Sequence, residues 1–246
     1  GHIIVNTRAA DCWLANDEES VLYRFRNITD VRQLRHAMPQ TYTAREGFSD
    51  QTIWKMYEDA RGDVWLSTSY QIRLLRWEQA TGKIHDPGAA LGVPQNISHA
   101  VSYVEDRAGN LWMGSAAKSG SRLMRYRDGQ FKIFTEADGL PREDVAGNLL
   151  VDNKGRLWFG TNRNGLGRID NPTVEPLQIT WYNRGNGLTT NLIESLVEDQ
   201  YGRIYIGTRR GVDCLTPETG QIRSYTSADG LPKSHVYVSG RDTQGA

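Results

Sequence analysis

Four residue series in this 246-residue sequence have the types that chemistry uses. An aspartate recurs at Asp59, Asp106, Asp152, Asp199 and Asp242, each with a glycine three places on (Gly62, Gly109, Gly155, Gly202 and Gly245). Paired carboxylates do general acid–base work. Here, however, each aspartate lies about 46 residues from the next, in a turn signature where Asp caps backbone amides and Gly takes a positive φ. The series is therefore read as structural. His99 and His235 each stand seven residues before a member of it, and imidazoles in one phase can hold a metal or move a proton. No second ligand follows either at i+2 or i+4, and Val145 and Leu192 occupy the same phase in between, so no metal is assigned. Arg24, Arg76, Arg125 and Arg168 also keep step, and are read as hydrogen-bonding groups between neighbouring repeats. Cys12 and Cys214 form no C-x-x-C and too small a set for a disulfide framework; they read as buried thiols. There is no Gly-x-Ser-x-Gly, no phosphate-cradling Gly-rich loop and no His-Glu-x-x-His, which favours binding over catalysis.

What positions these residues is a repeat. Val104-Glu105-Asp106-Arg107-Ala108-Gly109-Asn110-Leu111-Trp112-Met113-Gly114-Ser115 recurs from Tyr57 to Thr68, from Val151 to Thr161 and from Val197 to Thr208. A degenerate copy around Trp13 precedes them and a truncated one closes the chain. A second marker runs in another phase: Asp138-Gly139-Leu140-Pro141 matches Asp229-Gly230-Leu231-Pro232, with weaker copies at Gly47, Gly92 and Gly187. Each unit divides at turn signals into four short runs, and none has the length or period of an amphipathic helix. Four antiparallel strands per repeat is the arithmetic of a β-propeller blade. The expected architecture is all-β: five blades at 2–50, 51–97, 98–144, 145–191 and 192–234, with the inner strand of a sixth at 235–246. The expectation is either a part of a larger propeller or a short closed one; an open arc would self-associate through its unpaired edge. Trp13, Trp65, Trp112, Trp158 and Tyr205 on second strands, and Tyr42, Phe134, Tyr182 and Tyr225 on fourth strands, are the expected filling between blades. Trp54 and Trp181 break phase, the first read as core or as a sugar-stacking ring, the second as a partner-facing aromatic.

Composition narrows the partners. Lys+Arg and Asp+Glu both number 29, so nucleic acid and anionic membrane surfaces are not expected through bulk charge. No run approaches 18 apolar residues, and no membrane contact is assigned to this segment.

The string Glu-Asp-x-x-Gly-x-Leu-Trp-x-Gly-Thr, then Gly-Leu-x-Arg, then Tyr-Thr-x-x-Asp-Gly-Leu-Pro resembles the two-component regulator propeller repeat. That family builds the periplasmic sensor region of bacterial hybrid histidine kinases and related signalling proteins. The resemblance covers almost the whole chain. It departs at the first unit and at Gly211-Val212-Asp213-Cys214, which stands where Gly-Leu-x-Arg is expected. It implies a non-catalytic, extracytoplasmic, ligand-sensing module without a cofactor, with an oligosaccharide as the implied small-molecule ligand and further blades as packing partners.

Alternating strand direction sorts the loops onto two faces. The Asp-x-x-Gly turns lie on one; the second-to-third-strand loops and the connections between blades lie on the other. On the latter, the candidate ligand-binding residues are Tyr70, Lys118, Asn162, Arg163, Arg209 and Arg210 from the loops, and Arg142, Asn191 and His235 from the connections. Trp54 joins them from an inner strand. Guanidinium, amide and aromatic groups around one mouth suit a polyhydroxylated or anionic ligand. Two rival expectations are a lyase resembling the streptogramin-inactivating propellers, working through His235 and His99, and a protein-interaction scaffold.

Overall fold

The computed structural model describes residues 2–6, 10–16, 19–48, 53–68, 74–87, 100–115, 122–142 and 145–231. Two compact units divide the chain, Gly1–Val101 and Ser102–Ala246. The first holds two four-stranded antiparallel sheets. One is β1 (His2–Asn6), β2 (Cys12–Asn16), β3 (Val21–Phe25) and β4 (Gln40–Tyr42); the other is β5 (Ile53–Glu58), β6 (Val64–Thr68), β7 (Leu74–Glu78) and β8 (Lys83–His85). The second unit holds three. They are β9 (Ala100–Glu105) to β12 (Gln130–Phe134), through β10 (Leu111–Ser115) and β11 (Arg122–Arg127); β13 (Val145–Val151) to β16 (Ile179–Tyr182), through β14 (Leu157–Thr161) and β15 (Leu166–Ile169); and β17 (Ser195–Glu198) to β20 (Gln221–Tyr225), through β18 (Ile204–Thr208) and β19 (Gly211–Thr216). In every sheet the strands pair in chain order. The all-β blade architecture read from the repeat is what the chain adopts, and its helical content among the described residues is limited to 3-10 turns and a single residue.

Within the second unit the apolar cores lie between sheets. Trp112, Leu123 and Phe134 of one blade close on Leu157, Phe159 and Ile169 of the next. Trp158, Leu166 and Tyr182 of that blade close in turn on Ile204, Ile206 and Leu215. β14 is therefore covered on both faces and is buried at all five positions, so Leu-Trp-Phe-Gly-Thr reads as a continuous apolar run instead of an alternating one. The first unit packs likewise, with Trp13, Leu22 and Tyr42 against Met56, Leu66 and Trp77. Three of the four second-strand tryptophans stack on the fourth-strand aromatic of their own blade: Trp13 on Tyr42 at 5.7 Å, Trp112 on Phe134 at 5.2 Å and Trp158 on Tyr182. Burying one such ring removes about 150–250 Å² from water, roughly 4–6 kcal/mol by area.

The aspartate series explains how those rings are held. Asp106 accepts the amide N–H groups of Ala108 and Asn110, closing the turn, while its second oxygen accepts the Trp112 indole N–H at 2.8 Å. Asp59 and Trp65 repeat the arrangement at 2.9 Å, and Asp152 and Trp158 at 2.8 Å. Tyr205 has no N–H to offer, and Asp199 is taken instead by the Arg203 guanidinium at 2.6 Å. The second marker is a capping box. The Thr135 amide donates to the Asp138 carboxylate at 2.9 Å, Gly139 follows in the left-handed conformation, and Leu140 drops into the core. Thr43–Glu46, Asn183–Asn186 and Thr226–Asp229 repeat it.

Two aromatic expectations change. Trp181 is half-buried and packs edge-on against Phe159 at 5.4 Å. The space comes from Gly167, opposite both residues in register, where a Cβ would lie 2.2 Å from the Phe159 ring. Trp54 is 58% exposed and does not belong to the core. Of the third-strand arginines, Arg24 stacks on Trp77 of the neighbouring blade and pairs with Asp11, and Arg125 pairs with Glu175 of the next sheet at 2.8 Å. Arg76 instead pairs inside its own blade, with Asp63. Both cysteines are buried and free.

Candidate functional site

The second unit builds a continuous platform from three loops at the end where β14 and β18 finish. Thr161, last residue of β14, donates its hydroxyl to the Gly165 carbonyl at 2.8 Å and accepts the Asn164 amide at 2.9 Å, clasping the 162–165 loop. Thr208, last residue of β18, does the same for the next loop, donating to the Gly211 carbonyl and accepting the Arg210 amide. The connection from β16 to β17 threads between them. Its Asn191 carbonyl accepts the Gly165 amide at 3.0 Å, its Ile193 amide donates to the Thr161 carbonyl, and its Glu194 amide donates to the Gly207 carbonyl. Gly165 must be glycine here, since φ is +94° and a Cβ would meet the Tyr182 carbonyl oxygen at 2.1 Å.

On this framework Asn162, Arg163, Arg209 and Arg210 are exposed and Asn191 is half-buried. The Asn191 side-chain oxygen accepts the Arg184 amide at 2.8 Å. Arg209 is steered by Glu194, whose side chain is only 8% exposed and whose carboxylate lies 2.9 Å from the guanidinium. Arg142 projects from the connection into β13 with Glu136 at 3.9 Å. Guanidinium forks and amides fixed by backbone loops can donate to the hydroxyls, carboxylates or sulfates of a ligand. Five of the ten candidate residues, Asn162, Arg163, Asn191, Arg209 and Arg210, are thus brought onto one platform. Trp54 belongs to the other unit. Tyr70, Lys118 and His235 lie outside the described residues, as does His99.

Glu194, Thr161 and Thr208 were not singled out by sequence reasoning. The two threonines carry a signal in hindsight, the Gly-Thr ending three residues after Trp158 and Tyr205, echoed by Gly114-Ser115 and Ser67-Thr68; Glu194 carries none, because no acid recurs at its place in the repeat. Among the described residues no group of three or more His, Cys, Asp and Glu could hold a metal ion. A separate cleft of about 430 Å³ lies at the opposite end, beside the Asp-x-x-Gly turns, lined in part by Arg107, Lys154 and Asp170. Arg107 crosses it to the Asn153 carbonyl, its stem resting over Gly155.

Comparison with known proteins agrees with this anatomy. The two component regulator propeller family model matches residues 47–70, 139–163 and 187–210, each stretch beginning at the glycine after a capping box and taking in the following second strand. No curated protein sequence matches the chain. Among solved structures, virginiamycin B lyase from Staphylococcus aureus is similar at TM-score 0.64 and 16% identity, over 91% of this chain and 68% of that one. An extracellular domain assigned to a one component system of B. thetaiotaomicron is similar at TM-score 0.61 and 21% identity, over 98% of this chain and 35% of that one. Another, assigned to a hybrid two component system of the same organism, gives 0.51 and 14%, over 99% and 36%. At these identities the likeness is one of fold. The chain spans about a third of the length of those two extracellular domains.

Proposed function

We propose that this chain, built from repeats of the two component regulator propeller family, is a non-catalytic sensory segment of a two-component signalling protein, working outside the cytoplasm and binding a saccharide at the loop platform. One observation carries the reading: three loops from two adjacent blades are tied by backbone hydrogen bonds into a surface presenting Arg163, Arg209 and Arg210 beside Asn162 and Asn191. Such a surface supplies donors in fixed directions. The carboxylate set within it, Glu194, is engaged by Arg209, so a binding role fits better than proton transfer. The two B. thetaiotaomicron relatives, both extracellular domains of signalling systems, support the location. No helix among the described residues is long and apolar enough to cross a membrane. Ligand binding would act by favouring one arrangement of the signalling protein over another.

The test is calorimetric titration of the purified chain with a panel of neutral and uronate-bearing di- to tetrasaccharides, with chromatography of each mixture afterwards. Saturable binding without a new product is expected, weakened by Arg163→Ala and Arg209→Ala. A saccharide converted to product overturns the non-catalytic reading. A panel without binders, alongside a tight protein partner, replaces sensing with scaffolding.

A further inference from the structure

We propose that Asp213 is a positioning residue for the platform, holding two of its loops in register from beneath; its relevance to ligand binding rests on the reading of that platform given above. Asp213 lies on β19, opposite Ile206 and Ser224, and is fully buried. At the same phase the neighbouring blades carry Gly167, opposite Phe159 and Trp181, and Met124, opposite Met113 and Ile133. A carboxylate therefore occupies an interior position that is apolar in its siblings, where an unpartnered charge would be costly. The fifth blade meets that cost with three neutral donors. Thr189 gives Asp213 both its amide and its hydroxyl at 2.9 Å, and Ser224 gives its hydroxyl at 2.6 Å.

Thr189 is where this buried group meets the surface. It opens the stretch leading through Thr190 to Asn191, whose carbonyl fastens the 162–165 loop. Its hydroxyl also lies 3.4 Å from that of Thr208, the residue that clasps the loop bearing Arg209 and Arg210. Asp213 thus fixes the connection against the β18–β19 loop. Asp213 fills the variable third place of Gly-Leu-x-Arg, where the preceding blade has Gly167, and Ser224, where that blade has Trp181, accompanies it.

Amide hydrogen exchange of the full chain, read by mass spectrometry over 189–192, 208–211 and a control window at 157–161, tests this without a ligand. Asp213→Leu removes the acceptors while remaining apolar. Exchange in the first two windows should rise about tenfold or more, with the control unchanged. Asp213→Asn, which keeps one acceptor oxygen, should fall between wild type and Asp213→Leu, and decides the matter alone if the leucine variant fails to fold. Ser224→Ala leaves both Thr189 bonds and should protect the windows nearly as wild type does. Wild-type exchange in both loops of an Asp213 variant, or an equal rise at 157–161, overturns the proposal. Calorimetry with the saccharide panel is read separately: a wild-type chain that binds none of them overturns the ligand platform and leaves the exchange result to decide Asp213.

Discussion

At the scale of single residues, the aspartates that looked like chemistry are fasteners for tryptophans. Asp59, Asp106 and Asp152 each do three things at once: they end a strand, close a turn and fix the rotation of a buried indole six residues on. This explains why an acid recurs in an apolar neighbourhood, and it has a consequence for pH. Burial pushes the Asp152 carboxyl up, but the Trp158 indole, the Arg156 guanidinium and the Arg156 amide together outweigh it and hold the group below its ordinary value of 3.8. Asp199 is lowered likewise, burial opposing and Arg203 and Tyr201 prevailing. A carboxylate depressed in the folded state contributes stability that is complete above its unfolded value and is lost as pH falls through the folded one. Urea midpoints should therefore hold steady from pH 7 to about 5 and decline below about pH 4. Asp152→Asn should be less stable at neutral pH and show a shallower acid decline. An identical acid slope in wild type and variant would remove Asp152 from this role.

At the scale of elements, turns are more informative than strands, because their backbone requirements are specific. Two glycines separate the two costs of replacing one. Gly129, at φ +82°, has nothing within 4 Å of a new Cβ, whereas Gly165, at φ +94°, would drive one into the Tyr182 carbonyl. Gly129→Ala should cost about 1 kcal/mol in urea unfolding and Gly165→Ala at least about 2 kcal/mol more. Equal costs would mean that the close approach at Gly165 relaxes freely. The same contrast marks how far the sequence could be read. Blades, their order and the tryptophan filling were legible, since each repeat restates a short-range pattern and four or five copies reinforce one another. The phase-breaking rings were not. Trp181 is placed by the absence of a side chain at Gly167, which no pattern in its own strand announces, and Trp54 stands in solvent on a strand whose spacing allowed a core position. For the platform, Arg163 and Arg209 were legible as loop residues, while Glu194 and the carboxylate beneath, Asp213, were not: each meets its partner 15 to 24 residues away, between a connection and the β18–β19 hairpin, at positions where no acid recurs in the repeat.

For the whole molecule, formal charge cancels, with 29 basic and 29 acidic side chains, so any attraction to an anionic ligand must arise locally. Several acids are spent internally, on indoles, amides and buried guanidinium groups, as at Asp106, Asp152 and Asp11. The platform arginines stand in solvent, with Glu194 buried beside Arg209 as a counter-charge. A surface of that kind works through screened, short-range fields, and its signature is salt dependence confined to charged ligands. The Debye length falls from about 8 Å at 0.15 M salt to about 3 Å at 1 M. Between those conditions, affinity for a uronate-bearing saccharide should fall roughly three- to tenfold, while its neutral counterpart changes less than about twofold. Arg209→Gln should flatten the response of the charged ligand and leave that of the neutral one unmoved. Equal salt responses for both ligands would place recognition in hydroxyl contacts to Asn162 and Asn191, with the arginines acting only as hydrogen-bond donors.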